Sequence, residues 1–400
     1  MANTVKSLTD NILSPFRTHF RFFVVSLHYE VRYRFEHYKF NDMKFNNMKK
    51  YIFLSLFTLA CVGCSTVKKE TTIEQLTHET IDIPDAILGS IGSIQKVGDY
   101  LVVLDYSTES LFHLIKLSEQ RYIGKFGTRG PGPNEFNHPT KLHPYGEEQL
   151  CCYEPNKREI KLLTINTTDE RMITSTLFQM KDRTFFEAIP VNGDTILTTG
   201  CLEEGMFLLT TANGKQVSIT NEGYPYKDEE EQKISNQLRA MAYQGNLSMS
   251  SGKKFAYAIS SANQLHFYEI KNGKIIKSGE TIKSYAKYKP DAHSQNSFSV
   301  FFDSNAPECY TDINVTDSLV YVLYSGRSFK EHKLTWKESK YLFIYNWKGT
   351  LLKSYQLDVP ITHFCMDENG QTIYGIANIP DPTIVKFTIQ GTALQPFELQ

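Results

Sequence analysis

The sequence predicts an all-β fold, a six-bladed β-propeller of four-stranded antiparallel blades with a short helical insertion. Three observations predict it. A strand–turn–strand unit recurs along the 400 residues, its copies lie a blade's length apart, and Tyr (23) and Phe (26) make up most of the aromatic residues. Such aromatics favour pleated, half-buried positions, and a repeat of this size belongs to stacked or radial architectures.

The unit is clearest in its first two copies. Gly98 to Asp105 (GDYLVVLD) opens one and Glu147 to Glu154 (EEQLCCYE) opens the next. They continue in parallel, Tyr106 to Ile115 (YSTESLFHLI) against Pro155 to Thr164 (PNKREIKLLT). Each reads as strand, polar turn, strand, and the uninterrupted apolar run of the first strand fits a sheet covered on both faces. Weaker copies start at Gly193, Gly252, Thr316 and Gly370. The first core residue of each copy, Leu101, Leu150, Ile196, Phe255, Leu319 and Ile373, recurs at intervals of 46 to 64 residues. The two longest intervals hold insertions. In Asp228 to Tyr243, Ile234, Leu238 and Met241 fall at i, i+4 and i+7 and predict an amphipathic helix. Ser284 to Pro307 is predicted as a polar and aromatic loop. One blade cannot bury both its faces; stacking blades around an axis does so, and a closed ring leaves short edges. Thr80 to Ile83 alternates as a strand should and is expected to complete the last blade.

Residues 79–400 are therefore assigned to the propeller, and what precedes them reads as an address. Met48-Lys49-Lys50 is a short cationic region, followed by an uncharged apolar run from Tyr51 to Gly63. The run suits a signal peptide, whose apolar stretch is about 7–15 residues, and is too short for a membrane helix of about 20. The Val62-Gly63-Cys64 that ends it resembles a bacterial lipobox, with Cys61 standing where Leu is usual. The resemblance implies lipidation of Cys64, a signal peptide over 48–64 and a tether over 65–78. Residues 1–47 do not fit ahead of such a leader and are read as a mis-assigned upstream start without structure of their own. The expected location is the cell envelope, lipid-anchored to the outer membrane and facing the periplasm or the cell surface. The membrane is then a partner through the N-terminal anchor.

Net charge is −1 over the whole chain. Beyond residue 64 the chain holds 34 basic and 40 acidic side chains. Such a surface has no electrostatic footprint for nucleic acid. The five cysteines beyond residue 64, Cys151, Cys152, Cys201, Cys309 and Cys365, show no CxxC spacing and read as structural thiols.

Between the first two copies lies Phe126-Gly-Thr-Arg-Gly-Pro-Gly-Pro-Asn-Glu-Phe136, then Asn137-His138-Pro139. This stretch resembles the link of NHL-type propellers and is similar to that of the TolB-like six-bladed propeller lipoproteins of Bacteroidetes. Ala242-Tyr-Gln-Gly245 and Tyr324-Ser-Gly-Arg327 look like further elements of that group. The likeness spans roughly residues 80–390 and implies fold and address rather than an activity. The link's own residues predict a crossing between blades. Gly127, Gly130 and Gly132 permit positive φ, Pro131 and Pro133 fix φ, Glu135 is placed to cap backbone N–H groups, and Phe136 to plug between blades.

No GxSxG elbow and no HxH or HExxH pair appears. His138 and His363, at the approaches to inner strands, are the only candidates for a metal on the axis; neither a metal nor any other cofactor is expected. A ligand is expected at one end of the central channel, with Tyr224, Tyr226, Tyr243, Tyr324 and Arg327 as candidate contacts. Aromatic faces beside an Arg suit a glycan or a peptide. The expected function is a non-catalytic binding or scaffolding lipoprotein. The alternative is a metal-dependent lyase or hydrolase working at the channel mouth.

Overall fold

The computed structural model describes residues 73–389 apart from 182 and 292–297. The chain divides into two units, Met1–Glu70 and Thr71–Gln400, and the described residues all belong to the second. The expected leader, Cys64 and the segment 1–47 lie outside the described residues.

The described residues form a β-propeller of four-stranded antiparallel blades. The first blade is Ile91–Val97, Tyr100–Asp105, Ser110–Lys116 and Arg121–Thr128. The second is His143–Gly146, Gln149–Glu154, Glu159–Asn166 and Arg171–Gln179. The third is Glu187–Asn192, Thr195–Thr199, Phe207–Thr211 and Gln216–Ile219, and the fourth Gly245–Met249, Lys254–Ile259, Gln264–Lys271 and Lys274–Ile282. The remaining strands form one eight-stranded sheet running from Pro307–Val315 through Leu319–Ser328, Ser339–Asn346, Leu351–Met366, Thr372–Asn378 and Pro382–Thr388 to His78–Thr80, with Ile73–Leu76 alongside. Its long strand changes partner partway. Leu351–Gln356 pairs back with Ser339–Asn346, and Ile361–Met366 pairs forward with Thr372–Asn378.

Leu101, Leu150, Ile196 and Phe255 stand next to the head of the second strand of a blade, Leu319 and Ile373 stand at or next to the head of a strand of the large sheet, and all six are buried. The apolar runs mark these strands because the strands are covered on both faces. The buried clusters show the covering. Leu104 and Phe112 pack with Leu150 and Leu163, joining the first and second blades. Cys151 and Ile160 pack with Ile196 and Leu208, joining second and third. Phe207 and Phe255 join third and fourth, and Phe267 meets Tyr310 and Val322 across the next gap. Leu323 and Leu342 pack with Phe364 and Ile373 within the large sheet. Ile94, Leu101 and Val103 pack with Cys365, Ile376 and Ile384, which returns the chain to its beginning.

Closure comes earlier in the sequence than expected. The closing strand is His78–Thr80, antiparallel to Pro382–Thr388, rather than Thr80 to Ile83; Ile81 continues it with one bond, its N–H donating to Ile384 O at 2.9 Å. Ile73–Leu76, expected as tether, is a strand parallel to Ser354–Leu357. Between these two strands the carboxylate of Asp358 accepts from the His78 backbone N–H (3.2 Å) and lies 3.0 Å from its Nδ1.

The expected single helix over Asp228 to Tyr243 is two short ones, Glu229–Gln232 and Asn236–Ala242, because both Asp228 and Ser235 cap a helix N-terminus. Asn236, Arg239, Ala240 and Ala242 form the buried face of the second, while Ile234, Leu238 and Met241 are half-buried. Ser284 to Pro307 is not wholly a loop: Tyr288–Pro290 and Val300–Phe302 pair as a hairpin.

The glycine-rich link crosses from the first blade to the second, as its residues predict, but its glycines act differently. Only Gly127 has positive φ, +72°, and a Cβ there would lie 2.4 Å from the Phe112 ring. Gly130 and Gly132 are needed for room: a Cβ on either would meet the Glu135 carboxylate, at 2.2 and 2.8 Å. That carboxylate accepts the Gly132 N–H at 2.7 Å. Lys157 Nζ donates to Gly132 O and Glu135 O, both at 2.7 Å, and the buried Lys161 donates to Pro133 O. Phe136 is fully buried, edge-on to Phe112 at 4.9 Å. Acidic residues closing the second strand serve similarly. Asp105 accepts the Gly89 and Ser90 N–H groups, and Glu154 those of Asn137 and His138.

Gly127→Ala should therefore lower the melting temperature more than Gly132→Ala. It combines a left-handed φ, worth about 1–2 kcal/mol, with a ring collision, whereas Gly132→Ala displaces only a side-chain end. Phe136→Ala should cost about 3–5 kcal/mol by cavity formation. Calorimetric melting of the three variants tests this order.

Candidate ligand-binding site

A pocket of about 450 Å³ opens between the third and fourth blades. One wall is the loop Asn221 to Tyr226, which follows the last strand of the third blade. The other is the hairpin of Gln264–Lys271 and Lys274–Ile282.

The second helix holds the loop wall. Asn236, buried at the first turn, donates from Nδ2 to Leu202 O and Gly205 O, and its Oδ1 accepts the Tyr224 N–H at 2.8 Å. Arg239 donates to Tyr224 O at 2.7 Å, and its guanidinium sits over the Tyr226 ring at 5.2 Å. Gly223 permits the close approach, since a Cβ there would lie 2.3 Å from Asn236 Oδ1.

The hairpin wall is set by its turn. Asn272 (φ 51°) and Gly273 (φ 70°) both take positive φ, the requirement of a tight two-residue hairpin turn. A register shift between Phe267 and Tyr268 then places His266 directly opposite Glu280. Lys277 bridges the walls, 3.1 Å from Glu222 and 2.9 Å from Glu280. These carboxylates hold the Lys277 ammonium above its usual range against the opposing effect of burial, which is the largest single influence on it. His266 is 4% exposed. Burial, aided by Lys277, pushes its imidazole down to about 4. Tyr226 and Tyr285, 43% and 36% exposed, stand at the rim.

The five tyrosine and arginine candidates fall in different surroundings. Tyr226 presents its ring at the pocket rim. Tyr224 lines the pocket but is 1% exposed, its hydroxyl 2.6 Å from Thr199 Oγ1. Tyr243 is fully buried, its hydroxyl donating to Glu231 at 3.0 Å. Tyr324 packs on Tyr310 and Phe343 beside the cluster that joins the fourth blade to the large sheet, at 5.6 and 5.7 Å. Arg327 donates to Thr335 O at 3.1 Å and ion-pairs with Glu338, pinning the short helix Phe329–His332 and its following turn. Burial raises the Tyr224 and Tyr243 hydroxyls far above their ordinary range, so both are neutral structural groups.

Sequence reasoning missed His266, Lys277, Glu280 and Glu222. The Asn272-Gly273 turn was the available signal.

A second polar set lies where the first strands of the blades meet. Lys141, just before the second blade, ion-pairs with Asp312 and donates to Ile313 O in the large sheet, joining elements that are not neighbours around the ring. Asp312 also accepts the Phe364 N–H at 3.0 Å. His363 Nδ1 lies 4.0 Å from Asp312. Desolvation holds His363 below its ordinary value, against the pull of that carboxylate. His143 Nε2 lies 3.6 Å from Glu187 Oε2 and has no hydrogen-bond partner. His138 is elsewhere, exposed and stacked on Tyr106 at 4.6 Å. Among the described residues no group of three or more His, Cys, Asp and Glu is arranged to hold a metal. All five cysteines among them are free thiols, four of them buried.

Glu308, on the first strand of the large sheet, is 8% exposed. Burial pushes its carboxyl up to about 7, with Lys337 opposing. A carboxyl raised in the folded state above its unfolded value contributes stability at low pH that is lost as pH rises through the folded value. Stability should thus decline between about pH 4.5 and 7 by on the order of 1–3 kcal/mol from this group. Glu308→Gln should remove the decline and gain relative stability at pH 8. Denaturant melts at pH 5 and pH 8 read the difference.

Residues 69–369 match the family described as TolB-like 6-blade propeller-like. None of the curated proteins compared with the chain matches it. Among solved structures, a protein of Bacteroides fragilis is similar at 13% identity and a TM-score of 0.49, over 82% of this chain and 98% of the other. A DUF4221 family member from Bacteroides vulgatus is similar at 10% identity and a TM-score of 0.48, over 80% and 98%.

Proposed function

Since the chain belongs to the TolB-like 6-blade propeller-like family, we propose that it is a six-bladed, non-catalytic binding or scaffolding protein of the cell envelope. Its ligand is a glycan or a peptide. The blade count rests on the long strand Leu351–Met366, whose two halves serve different partners. Dividing the eight-stranded sheet there leaves two blades, closed by His78–Thr80. The envelope address rests on the sequence of residues 48–64, with Cys64 as the lipidated residue and the outer membrane as the site of anchoring.

The binding reading is carried by one observation, the pocket between the third and fourth blades. It is concave, rimmed by the exposed rings of Tyr226 and Tyr285, and lined by a few convergent polar groups. That combination is the usual make-up of a small-ligand site. Tyr224 shapes it from within. Tyr243, Tyr324 and Arg327 support its surroundings or the neighbouring blade, with no ligand contact assigned to them. The metal-dependent lyase or hydrolase reading draws on the axis, where His143, Glu187, Asp312 and His363 approach one another in pairs. Stoichiometric zinc or manganese in purified protein, lost in His363→Ala, would favour that reading.

Calorimetric titration with peptidoglycan fragments and neutral oligosaccharides tests the binding role. Tyr226→Ala should weaken the bound ligand about tenfold, or 1.4 kcal/mol, without changing the melting temperature. Mass spectrometry of the membrane fraction should find diacylglycerol on Cys64; an unlipidated chain there would remove the anchor from the reading.

A further inference from the structure

A chain of hydrogen bonds in the pocket fixes which nitrogen of His266 carries its proton. Gln264 Nε2 donates to Ser284 O at 2.8 Å, so its Oε1 faces the other way as an acceptor. His266 Nε2 lies 3.3 Å from that Oε1 and must be the protonated nitrogen. The ring is neutral, for the reasons of burial given above. Its Nδ1 is then a bare lone pair, buried and without a hydrogen-bond partner. The group beside it, Glu280 Oε2 at 3.6 Å, is another acceptor. Two acceptors facing one another with no protein proton between them leave the Nδ1 lone pair open to a donor from the pocket. The missing donor has to come from outside the protein.

We propose that this pocket is a saccharide subsite, in which adjacent hydroxyls of a neutral sugar donate to His266 Nδ1 and Glu280 Oε2 while the sugar's C–H face lies on Tyr226. The proposal rests on the binding role given above and names its ligand class. Charge selects against the other classes. The Nδ1 lone pair and the Glu280 carboxylate beside it offer an anion no donor, so a carboxylate or phosphate is disfavoured at that point. Lys277 already pairs with both carboxylates, at 3.1 and 2.9 Å, so a cationic ligand would have to displace it. A sugar needs no such displacement, and the third Lys277 proton is free to reach a sugar oxygen.

The test has two arms. The first needs no ligand: ¹⁵N NMR of the imidazoles should show His266 neutral and protonated on Nε2 down to about pH 5. A signal titrating at its ordinary value, or protonated on Nδ1, would overturn the proposal. The second titrates the full chain with cellobiose, maltose and N,N′-diacetylchitobiose. At least one should bind, and His266→Phe, which keeps the ring but removes the acceptor, should weaken it at least about tenfold. His266→Gln, which restores an acceptor oxygen, should recover part of that loss. Equal melting temperatures of the variants exclude unfolding as the cause. No binding by any of the three sugars, or binding indifferent to His266→Phe, defeats the saccharide assignment. If the peptide L-Ala-D-Glu-L-Lys bound instead, the saccharide subsite would fall and the binding role would stand. If neither sugars nor peptide bound, both would fall.

Discussion

A strand such as Tyr100–Asp105, buried at every position, belongs to a sheet that needs apolar cover on both sides. No blade can supply this to itself, so each depends on its two neighbours, and the arrangement holds only if the first blade also covers the last. In this protein Ile94, Leu101 and Val103 meet Cys365, Ile376 and Ile384 at that junction. Hydrogen bonds hold it as well: His78–Thr80 completes the sheet of Pro382–Thr388, and Asp358 grips His78 where the N-terminal segment passes from one half of the large sheet to the other. The remaining features, including the link, the capped loops and the pocket, are local adjustments within a ring that this junction closes.

The pocket shows how such adjustments acquire chemistry. A cleft lies between two neighbouring blades, and the second inserted helix stabilises one wall by serving backbone groups of the loop through Asn236 and Arg239. These polar side chains are buried because they satisfy carbonyls and an N–H that would otherwise be stranded. His266 Nδ1, which lines the pocket, is one of the buried polar atoms there that find no partner.

What could be read from the sequence followed from burial on both faces. The six repeat residues from Leu101 to Ile373 mark strands because each begins a largely buried run in a sheet covered on both faces. The link was legible as a crossing, with Phe136 as its plug and Glu135 as its cap, since both are local. The glycine roles were less so, because steric room at Gly130 and Gly132 depends on where the Glu135 side chain folds back. The helix failed at Ser235, whose capping hydroxyl outweighed the apolar spacing of Ile234, Leu238 and Met241. Tyr243 and Tyr224 have the same composition signal as Tyr226, and only tertiary packing separates buried rings from an exposed one. His266 and Glu280 escaped for a subtler reason. The Asn272-Gly273 turn pairs Lys271 with Lys274, and counting outward sets His266 against Gly279; the bulge at Phe267/Tyr268 moves Glu280 into that place instead.

The closing junction also bears on how the chain reaches its folded state. Glu79 meets Lys386 across a sequence separation of 307 residues. Contacts of such long range form slowly, since the intervening chain must lose its freedom before they can reward it. A ribosome releasing this protein from its N-terminus emits His78–Thr80 long before its partner strand exists. The ring cannot close before that strand is made. Until Pro382–Thr388 emerges, the apolar side of the first blade lacks the cover that Cys365, Ile376 and Ile384 provide, and a polypeptide in that condition invites aggregation. That face is covered only once the last strand has been made.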